Sequence, residues 1–195
     1  AMATRVGVLG GSFDPIHLGH LHLARALRER LGLDRVVLVP AAEQPLKAGR
    51  MEASAGDRLA MARLAAAGEP WLEVSDVEVR RPGPSYTYDT LRALRAALPP
   101  DAEVHFLAGA DVLADLERWY RLDDVLALAR FTIATRPGHR LDLPPRLAGR
   151  VELVEIEPRR LSATEVRARL AAGGDVSGIL PAGVSRYIQE KGLYR

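Results

Sequence analysis

Near its N-terminus the chain alternates between strand and helix in a way that leaves few possible folds. Residues 6–11 (VGVLGG) are an apolar run closed by two glycines, which predicts a buried strand. Apolar residues then recur at helical spacing over 18–31 up to Gly32, and residues 35–40 (RVVLVP) form a second apolar run. Two strands joined by a helix within about 35 residues make a βαβ unit, which requires parallel strands and a right-handed crossover.

The same alternation continues along the rest of the chain. Strands are predicted at 71–79, 104–109, 131–135 and 151–156, and helices at 57–67, 87 or 89 to 98, 111–116, 123–129, 162–174 and 184–192. Ser162 and Glu165 have the spacing of a capping box, and the Pro/Gly-rich stretch 137–149 is predicted to be a loop. We therefore expect an α/β fold, a Rossmann-like doubly wound parallel sheet, in a single domain over 1–195. Ala1 and Met2 are interpreted as a cloning remnant and an initiator methionine.

The composition excludes several kinds of protein. A formal net charge of +2 lacks the positive excess of a dedicated nucleic-acid binder. The chain has no cysteine, which excludes disulfides and thiolate nucleophiles. No apolar run approaches the roughly 18 residues of a membrane span, and the N-terminus lacks the layout of a signal peptide. We expect a cytoplasmic protein with neither a membrane nor a nucleic-acid partner.

Residues 10–24 (GGSFDPIHLGHLHLA) join the first strand to the first helix. Glycines at such a junction expose backbone N–H groups, and the helix start adds partial positive charge, so an anion can bind there. The stretch contains neither the G-x-G-x-x-G dinucleotide pattern nor the G-K-[ST] of a P-loop. The sequence therefore predicts a phosphate site of another kind.

Histidines distinguish this phosphate site. His17 and His20 are three residues apart, so at a helix start they share a face and can donate hydrogen bonds to one anion. The structural alternative is that one caps the helix and the other packs. A metal site is disfavoured because further ligands at suitable spacing are missing. For His22, which faces elsewhere, a structural role is expected.

Two separated motifs resemble the nucleotidyltransferase superfamily that includes the HIGH-type synthetases. One is the H-x-G-H element of residues 17–20, and the other is LSATEVR, residues 161–167, which is similar to the I-S-[ST]-T-x-x-R element of that superfamily. In the second motif Ser162 and Thr164 offer hydroxyls at a helix start, and Arg167 offers a guanidinium. An ordinary N-cap is the structural alternative for Ser162, and the two roles are compatible.

Within the superfamily, the whole chain resembles the bacterial nicotinate-mononucleotide adenylyltransferase family. The resemblance rests on several motifs in order: GGSFDPIHLGHL, PSYTYDTL, FLAGAD, RWYRLDDVL, TRPG, LSATEVRARL and ILPAGVSRYIQEKGLYR. One departure is PAAEQPLK at 40–47, where the family commonly has P-N-x-x-P-P-H-K. Lys47 is retained, but Ala41 and Leu46 replace the asparagine and histidine, so contacts by those two side chains are lost.

The resemblance implies that ATP and nicotinate mononucleotide are the substrates and that deamido-NAD and pyrophosphate are the products. It assigns His17, His20 and Arg167 to catalysis, with His20 as the first choice for the catalytic contact. It places Gly10, Gly11, Ser12, Phe13, His17, His20, Gly109, Asp111, Ser162, Thr164 and Arg167 around ATP. Gly109 and Asp111 follow the end of a predicted strand, where ligands of open α/β sheets bind, although Asp111 is equally explained as a helix N-cap.

For the mononucleotide the resemblance implies a second group of residues, namely Lys47, Ser85, Tyr86, Thr87, Trp119, Tyr120 and Arg136. Trp119 resembles the tryptophan that stacks on the pyridine ring in the family, while composition alone would favour a core position for it. Backbone amides around Ser85–Thr87 and Tyr120 are suited to the pyridine carboxylate. The preference for the acid over the amide form of the substrate rests on the resemblance alone.

The reaction that the resemblance implies needs little from the protein beyond positioning and charge neutralisation. A phosphate monoester is largely ionised near neutral pH, so its attack on the α-phosphorus requires no general base. Mg²⁺ is expected with ATP, held mainly by phosphates and water, and no dedicated metal ligands are predicted. A homo-oligomer is possible.

Two other functions fit parts of this pattern. A sister enzyme acting on nicotinamide mononucleotide or phosphopantetheine, or a cytidylyltransferase, would share both phosphate motifs but not the middle ones. A nucleotide-binding regulator would bind ATP without releasing pyrophosphate, and it would have no need of both histidines.

Overall fold

The computed structural model of the protein describes residues 4–42 and 51–195. The described residues form six strands: β1 (Arg5–Gly11), β2 (Arg35–Pro40), β3 (Leu72–Val74), β4 (Glu103–Gly109), β5 (Arg130–Thr135) and β6 (Val151–Glu155). All neighbouring pairs are parallel, in the order β3-β2-β1-β4-β5-β6. This is the order of a doubly wound sheet, so the predicted fold class is confirmed.

Within the described part of the chain, eight α-helices connect or follow these strands. They are α1 (Leu18–Leu31), α2 (Ala55–Ala66), α3 (Val77–Arg80), α4 (Thr87–Ala96), α5 (Leu113–Leu116), α6 (Leu122–Leu128), α7 (Ala163–Ala171) and α8 (Ala182–Lys191). Short 3₁₀ helices span Ala110–Val112 and Pro145–Leu147. Helix α1 has its predicted bounds and ends at Gly32, whose positive φ of 63° suits a glycine. None of the helices in 4–42 and 51–195 has the length and apolar character needed to cross a membrane.

Two apolar clusters, one on each face of the sheet, form the core. The side chains of Val8 and Leu9 belong to different clusters because successive residues of a strand point to opposite faces. Helices α1, α2, α7 and α8 bury one face, and α4, α5 and α6 bury the other. The first cluster thus holds the helices that begin at the two motif elements, α1 and α7, against the same side of the sheet.

The strand predicted at 71–79 is wrong in its second half. β3 ends at Val74, and the chain then turns into α3. The Ser75 hydroxyl accepts from the Val77 N–H, and the Asp76 carboxylate accepts from Arg80 at 2.7 Å, so local side-chain bonds begin a helical turn. These bonds outweigh the alternating pattern of VEV.

Candidate active site

The two central strands of the sheet end in glycines at the same edge. β1 ends at Gly10 and Gly11, and its neighbour β4 ends at Gly109. From β1 the sheet continues to β2 and β3 on one side, and from β4 it continues to β5 and β6 on the other. Ligands of doubly wound sheets bind at the point where the strand order changes direction in this way. The segments predicted to hold ATP therefore begin side by side.

Buried hydrogen bonds hold the loop after β1 in a strained conformation. Phe13 has a φ of 49°, a left-handed conformation that costs a non-glycine residue about 1–2 kcal/mol. The next residue, Asp14, is buried, and its carboxylate accepts from the Glu52 N–H at 2.7 Å and the Ala53 N–H at 3.1 Å. The Tyr194 hydroxyl donates to the same carboxylate at 2.5 Å. The surroundings thus fix the backbone of this loop, as is common for strained loops at functional sites.

His17 and His20 form a reciprocal capping box at the start of α1. His17 is the N-cap residue, and its Nδ1 accepts from the Gly19 N–H at 3.0 Å. The Nδ1 of His20 accepts from the His17 N–H, also at 3.0 Å. The two rings are stacked with centroids 3.7 Å apart. Because a backbone N–H can only donate, both Nδ1 atoms are acceptors, and each neutral ring carries its proton on Nε2.

Both histidines are held in the neutral form. Burial, helped by the Arg159 guanidinium, lowers the pKa of His17 to about 4. Burial lowers the pKa of His20 well below its ordinary value, and the positive charge that His17 gains when it is protonated lowers it further. Near pH 7 the pair therefore presents two Nε2–H donors, which can bind a phosphate oxygen without carrying a charge of their own. If both rings bind one anion, as the sequence predicts, the Nε2 atom of each ring is the donor.

The second motif begins α7. Ser162 is its N-cap, and the Ser162 hydroxyl oxygen accepts from the Glu165 N–H at 3.1 Å. Only this half of the predicted capping box forms among the described residues. Thr164 accepts from an Nη2 of Arg167 at 3.2 Å, so the hydroxyl and the guanidinium one turn later are already paired.

The two motif elements meet. The Arg167 guanidinium donates to the Asp14 carbonyl at 2.8 Å, across 153 residues of sequence. A Cβ placed on Gly19 of α1 would lie 3.3 Å from the Cβ of Leu161, which precedes α7. His22, as expected, has a structural contact: its Nε2 lies 2.5 Å from the Glu157 carbonyl. The starts of α1 and α7 thus lie side by side.

Asp111 lies close to the glycine that ends β4. Gly109 precedes the 3₁₀ helix, and a Cβ there would lie 3.0 Å from the Asp111 Oδ1. Asp111 lies inside that 3₁₀ helix and is exposed, so the N-cap explanation for it is wrong. No described residue hydrogen-bonds to its carboxylate, which can accept from a ligand hydroxyl.

Trp119 lies partly in the core and partly at the surface. Its indole makes edge contacts with Phe106 and Phe131, each with ring centroids 5.7 Å apart. The neighbouring Tyr120 is 50% exposed. Trp119 is therefore fixed along one edge by packing, and the core and binding interpretations of this residue are compatible.

Residues 85–87 lie against Tyr120. The rings of Tyr86 and Tyr120 are 5.0 Å apart, and Ser85 is buried with no hydrogen-bond partner for its Oγ among the described residues. Thr87 begins α4, whose N-cap, Tyr86, provides no side-chain cap. The first N–H groups of a helix have no partner within it, so this turn offers backbone donors to an anion beside the aromatic pair.

The two remaining predicted mononucleotide residues are Lys47 and Arg136. Lys47, like Leu46, lies outside the described residues. Arg136 follows the end of β5 and is exposed. Ala41, at the position of the family asparagine, is buried, and its N–H donates to the Gly11 carbonyl at 2.9 Å.

Comparison with known proteins places the chain. A family model described as cytidylyltransferase-like matches residues 8–169. The probable nicotinate-nucleotide adenylyltransferase of Roseiflexus sp. (strain RS-1) is 46% identical over 97% of this chain and 98% of that protein. The protein of the same name from Acidothermus cellulolyticus is 44% identical over 98% of this chain and 94% of its own length. The chain belongs to the nicotinate-nucleotide adenylyltransferase family.

Solved structures share the fold of this family member. The Plasmodium falciparum nicotinic acid mononucleotide adenylyltransferase complexed with NaAD has a TM-score of 0.77 at 19% identity, with 98% of this chain and 97% of that chain covered. A putative nicotinate-nucleotide adenylyltransferase from Vibrio parahaemolyticus has a TM-score of 0.67 at 21% identity, with coverage of 98% and 96%.

Some residues around this nicotinate-nucleotide adenylyltransferase site were missed in the sequence. Arg58 is 1% exposed and donates to four backbone carbonyls, one of them that of Ser12 in the loop after β1. Its position on the buried stripe of α2, three and four residues before Met61 and Ala62, is a signal that was available. Asp14 and Tyr194 are 180 residues apart, and no local pattern could have paired them.

Proposed function

We propose that this protein transfers the adenylyl group of ATP to nicotinate mononucleotide, producing nicotinate adenine dinucleotide and pyrophosphate. The observation that carries the proposal is the meeting of the two motif elements, with Arg167 bonded to the loop that precedes His17 and His20. One triphosphate can contact the starts of α1 and α7 only if the two lie close together.

The chemistry follows from the neutral histidines. A phosphate oxygen of the mononucleotide attacks the α-phosphorus of ATP, the bond from that phosphorus to the bridging oxygen of the β-phosphate breaks, and pyrophosphate leaves. The Nε2–H groups of His17 and His20 donate to phosphate oxygens whose charge grows in the transition state. Arg167 neutralises part of that charge. An ionised phosphate nucleophile needs no base, so neither histidine has to remove a proton.

The uncapped start of α4 supports the acid form of the substrate. Backbone N–H groups are donors only, so they favour a carboxylate over a carboxamide, whose NH₂ would face another donor. Beside them, Trp119 and Tyr120 provide flat surfaces for the pyridine ring. The relatives are named probable nicotinate-nucleotide adenylyltransferases, and these names support the same preference.

We propose that Mg²⁺ arrives with ATP as part of the substrate. An ion that arrives in this way is held mainly by the phosphates of ATP and by water. A cytoplasmic location, possible homo-oligomerisation and the lack of a nucleic-acid partner complete the proposal.

A substrate panel tests this function. Pyrophosphate release is measured with ATP or CTP, each combined with nicotinate mononucleotide, nicotinamide mononucleotide or phosphopantetheine, with and without Mg²⁺. Release should be fastest with MgATP and nicotinate mononucleotide. Faster release with CTP or phosphopantetheine would assign the protein to a sister activity, and ATP binding without release in any combination would indicate a regulator.

A further inference from the structure

Arg58 is the largest fully buried side chain of α2, and its environment is unusual for a cation. Only 1% of its surface is exposed. Burial of a guanidinium is unfavourable unless its N–H groups are hydrogen-bonded, so each contact of this residue requires an explanation.

All hydrogen bonds from Arg58 to described residues are accepted by main-chain carbonyls. Its Nη1 donates to Ser12 at 2.8 Å and to Ala41 at 2.5 Å, its Nη2 to Ala42 at 3.2 Å, and its Nε to Ala53 at 3.2 Å. The guanidinium therefore joins the loop after β1 to the end of β2 and to the segment before α2. A side chain needed only for stability could be an apolar residue of similar size.

The bond to Ser12 has a geometric consequence for the ATP loop. The peptide group between Ser12 and Phe13 is planar and trans, so its N–H points opposite to its C=O. Because the Ser12 carbonyl faces Arg58, the Phe13 N–H faces away from α2. That N–H has no acceptor among residues 4–42 and 51–195. Phe13 has its strained φ of 49° in the same structure in which the Ser12 carbonyl faces Arg58 and the Phe13 N–H points away from it.

We infer that Arg58 is a positioning residue for ATP: by fixing the Ser12 carbonyl it aims the Phe13 N–H at a phosphate of the bound nucleotide. The inference rests on the proposed function, since it assigns a task to a residue outside the two motifs. Arg58 itself does not touch the substrate.

Arg58→Lys tests the inference, because lysine keeps the charge but carries its three N–H donors on one nitrogen, which cannot reach all four carbonyls that the guanidinium holds. Arg63→Lys on the same helix is the matched control, since its side chain is 56% exposed. Thermal melts and circular dichroism first establish that each variant is folded at the assay temperature. KM for ATP, KM for the mononucleotide and kcat are then measured, together with the Kd of ATP alone.

We expect Arg58→Lys to lower kcat by about a hundredfold, the effect of a misplacement near 1 Å, and to weaken ATP binding at least about tenfold. Arg63→Lys should match the wild type. A folded Arg58→Lys protein with a reduced melting temperature but wild-type kcat, KM and ATP Kd would overturn the inference and make Arg58 structural only. If the wild type binds ATP but releases no pyrophosphate, the proposed function fails, and the ATP Kd of the variant still decides the positioning role.

Discussion

The capping role of the histidine pair and the phosphate contact proposed for it use different atoms of each ring. Nδ1 of His17 and of His20 accepts a backbone N–H at the start of α1, which leaves Nε2–H on each ring as a donor. The capping role therefore selects the tautomer that phosphate binding requires. The capping role of H-x-G-H is confirmed, and the phosphate contact proposed for the two rings uses the other nitrogen of each ring.

Replacing His20 by Asn separates these roles. Asparagine offers an oxygen close to the position of Nδ1 but no donor at the position of Nε2. We expect His20→Asn and His20→Ala to lower kcat alike, by roughly a hundredfold or more, as for loss of a transition-state donor. His20→Asn should remain closer to the wild type in thermal stability. Steady-state kinetics and melting curves measure both, and restored turnover in His20→Asn would limit His20 to capping.

The lowered pKa of His17 makes stability depend on pH. In the unfolded chain this ring binds a proton below a pKa near 6.5, whereas the folded protein resists protonation until about pH 4. Between these values the unfolded state binds more protons, so stability is lost as the pH falls, by up to roughly 3 kcal/mol.

His17→Asn isolates this contribution, because its side chain can still cap Gly19 but does not titrate. Urea unfolding at pH 7, 6, 5 and 4 should give a shallower loss of unfolding free energy for the variant than for the wild type. Parallel curves for the two proteins would show that His17 titrates normally in the folded state.

At the scale of elements, the start of α7 is a capped helix terminus that is also proposed to contact the triphosphate. The Ser162 oxygen caps the helix by accepting from the Glu165 N–H. Ser162→Ala should lower stability by about 1 kcal/mol through loss of the cap. Ser162→Asp should keep the cap and the stability, since a carboxylate is favourable at a helix start, but should raise KM for ATP at least about tenfold by repelling the phosphates.

Melting curves and ATP kinetics on the two Ser162 variants distinguish cap from ligand. An Asp variant with wild-type KM for ATP would place the triphosphate away from α7.

Trp119 belongs to the segment between α5 and α6, and its ring both packs in the core and is proposed to stack on the mononucleotide. We expect Trp119→Ala to raise KM for the mononucleotide about 10- to 100-fold, since ring stacking contributes about 1–3 kcal/mol. KM for ATP should stay near the wild-type value. Stability should fall by roughly 2 kcal/mol, less than for a fully buried aromatic residue, because contacts with Phe106 and Phe131 are lost.

Trp119→Phe controls for packing, and both variants are compared by steady-state kinetics and urea unfolding. An equal rise in both KM values for Trp119→Ala would contradict the assignment of this ring to the mononucleotide.

The regular elements could be predicted from sequence where local signals agreed, as for α1, with its apolar stripe and terminal Gly32. Predictions failed where short polar side chains formed local hydrogen bonds that outweighed the hydrophobic alternation. The alternation in 71–79 predicts a strand, but Ser75 and Asp76 form side-chain bonds that begin α3. Local periodicity contains no information on such bonds.

At the scale of the whole molecule, the site depends on contacts between distant parts of the chain. Each motif was recognisable alone, but only the fold brings Arg167 to the carbonyl of Asp14. The buried bonds that stabilise this loop, from Arg58 and from Tyr194, also cross long stretches of sequence. Such pairings follow from topology, so sequence reasoning could name the phosphate-binding elements but not the side chains that hold them.

An isotope measurement tests the proposed transfer most directly. Nicotinate mononucleotide carrying ¹⁸O in its 5′-phosphate is incubated with the protein and MgATP, and the products are weighed by mass spectrometry. If the mononucleotide phosphate attacks the α-phosphorus while both motif elements hold the triphosphate, all of the label appears in the dinucleotide and none in pyrophosphate. Label in pyrophosphate, or AMP with no dinucleotide, would contradict the account.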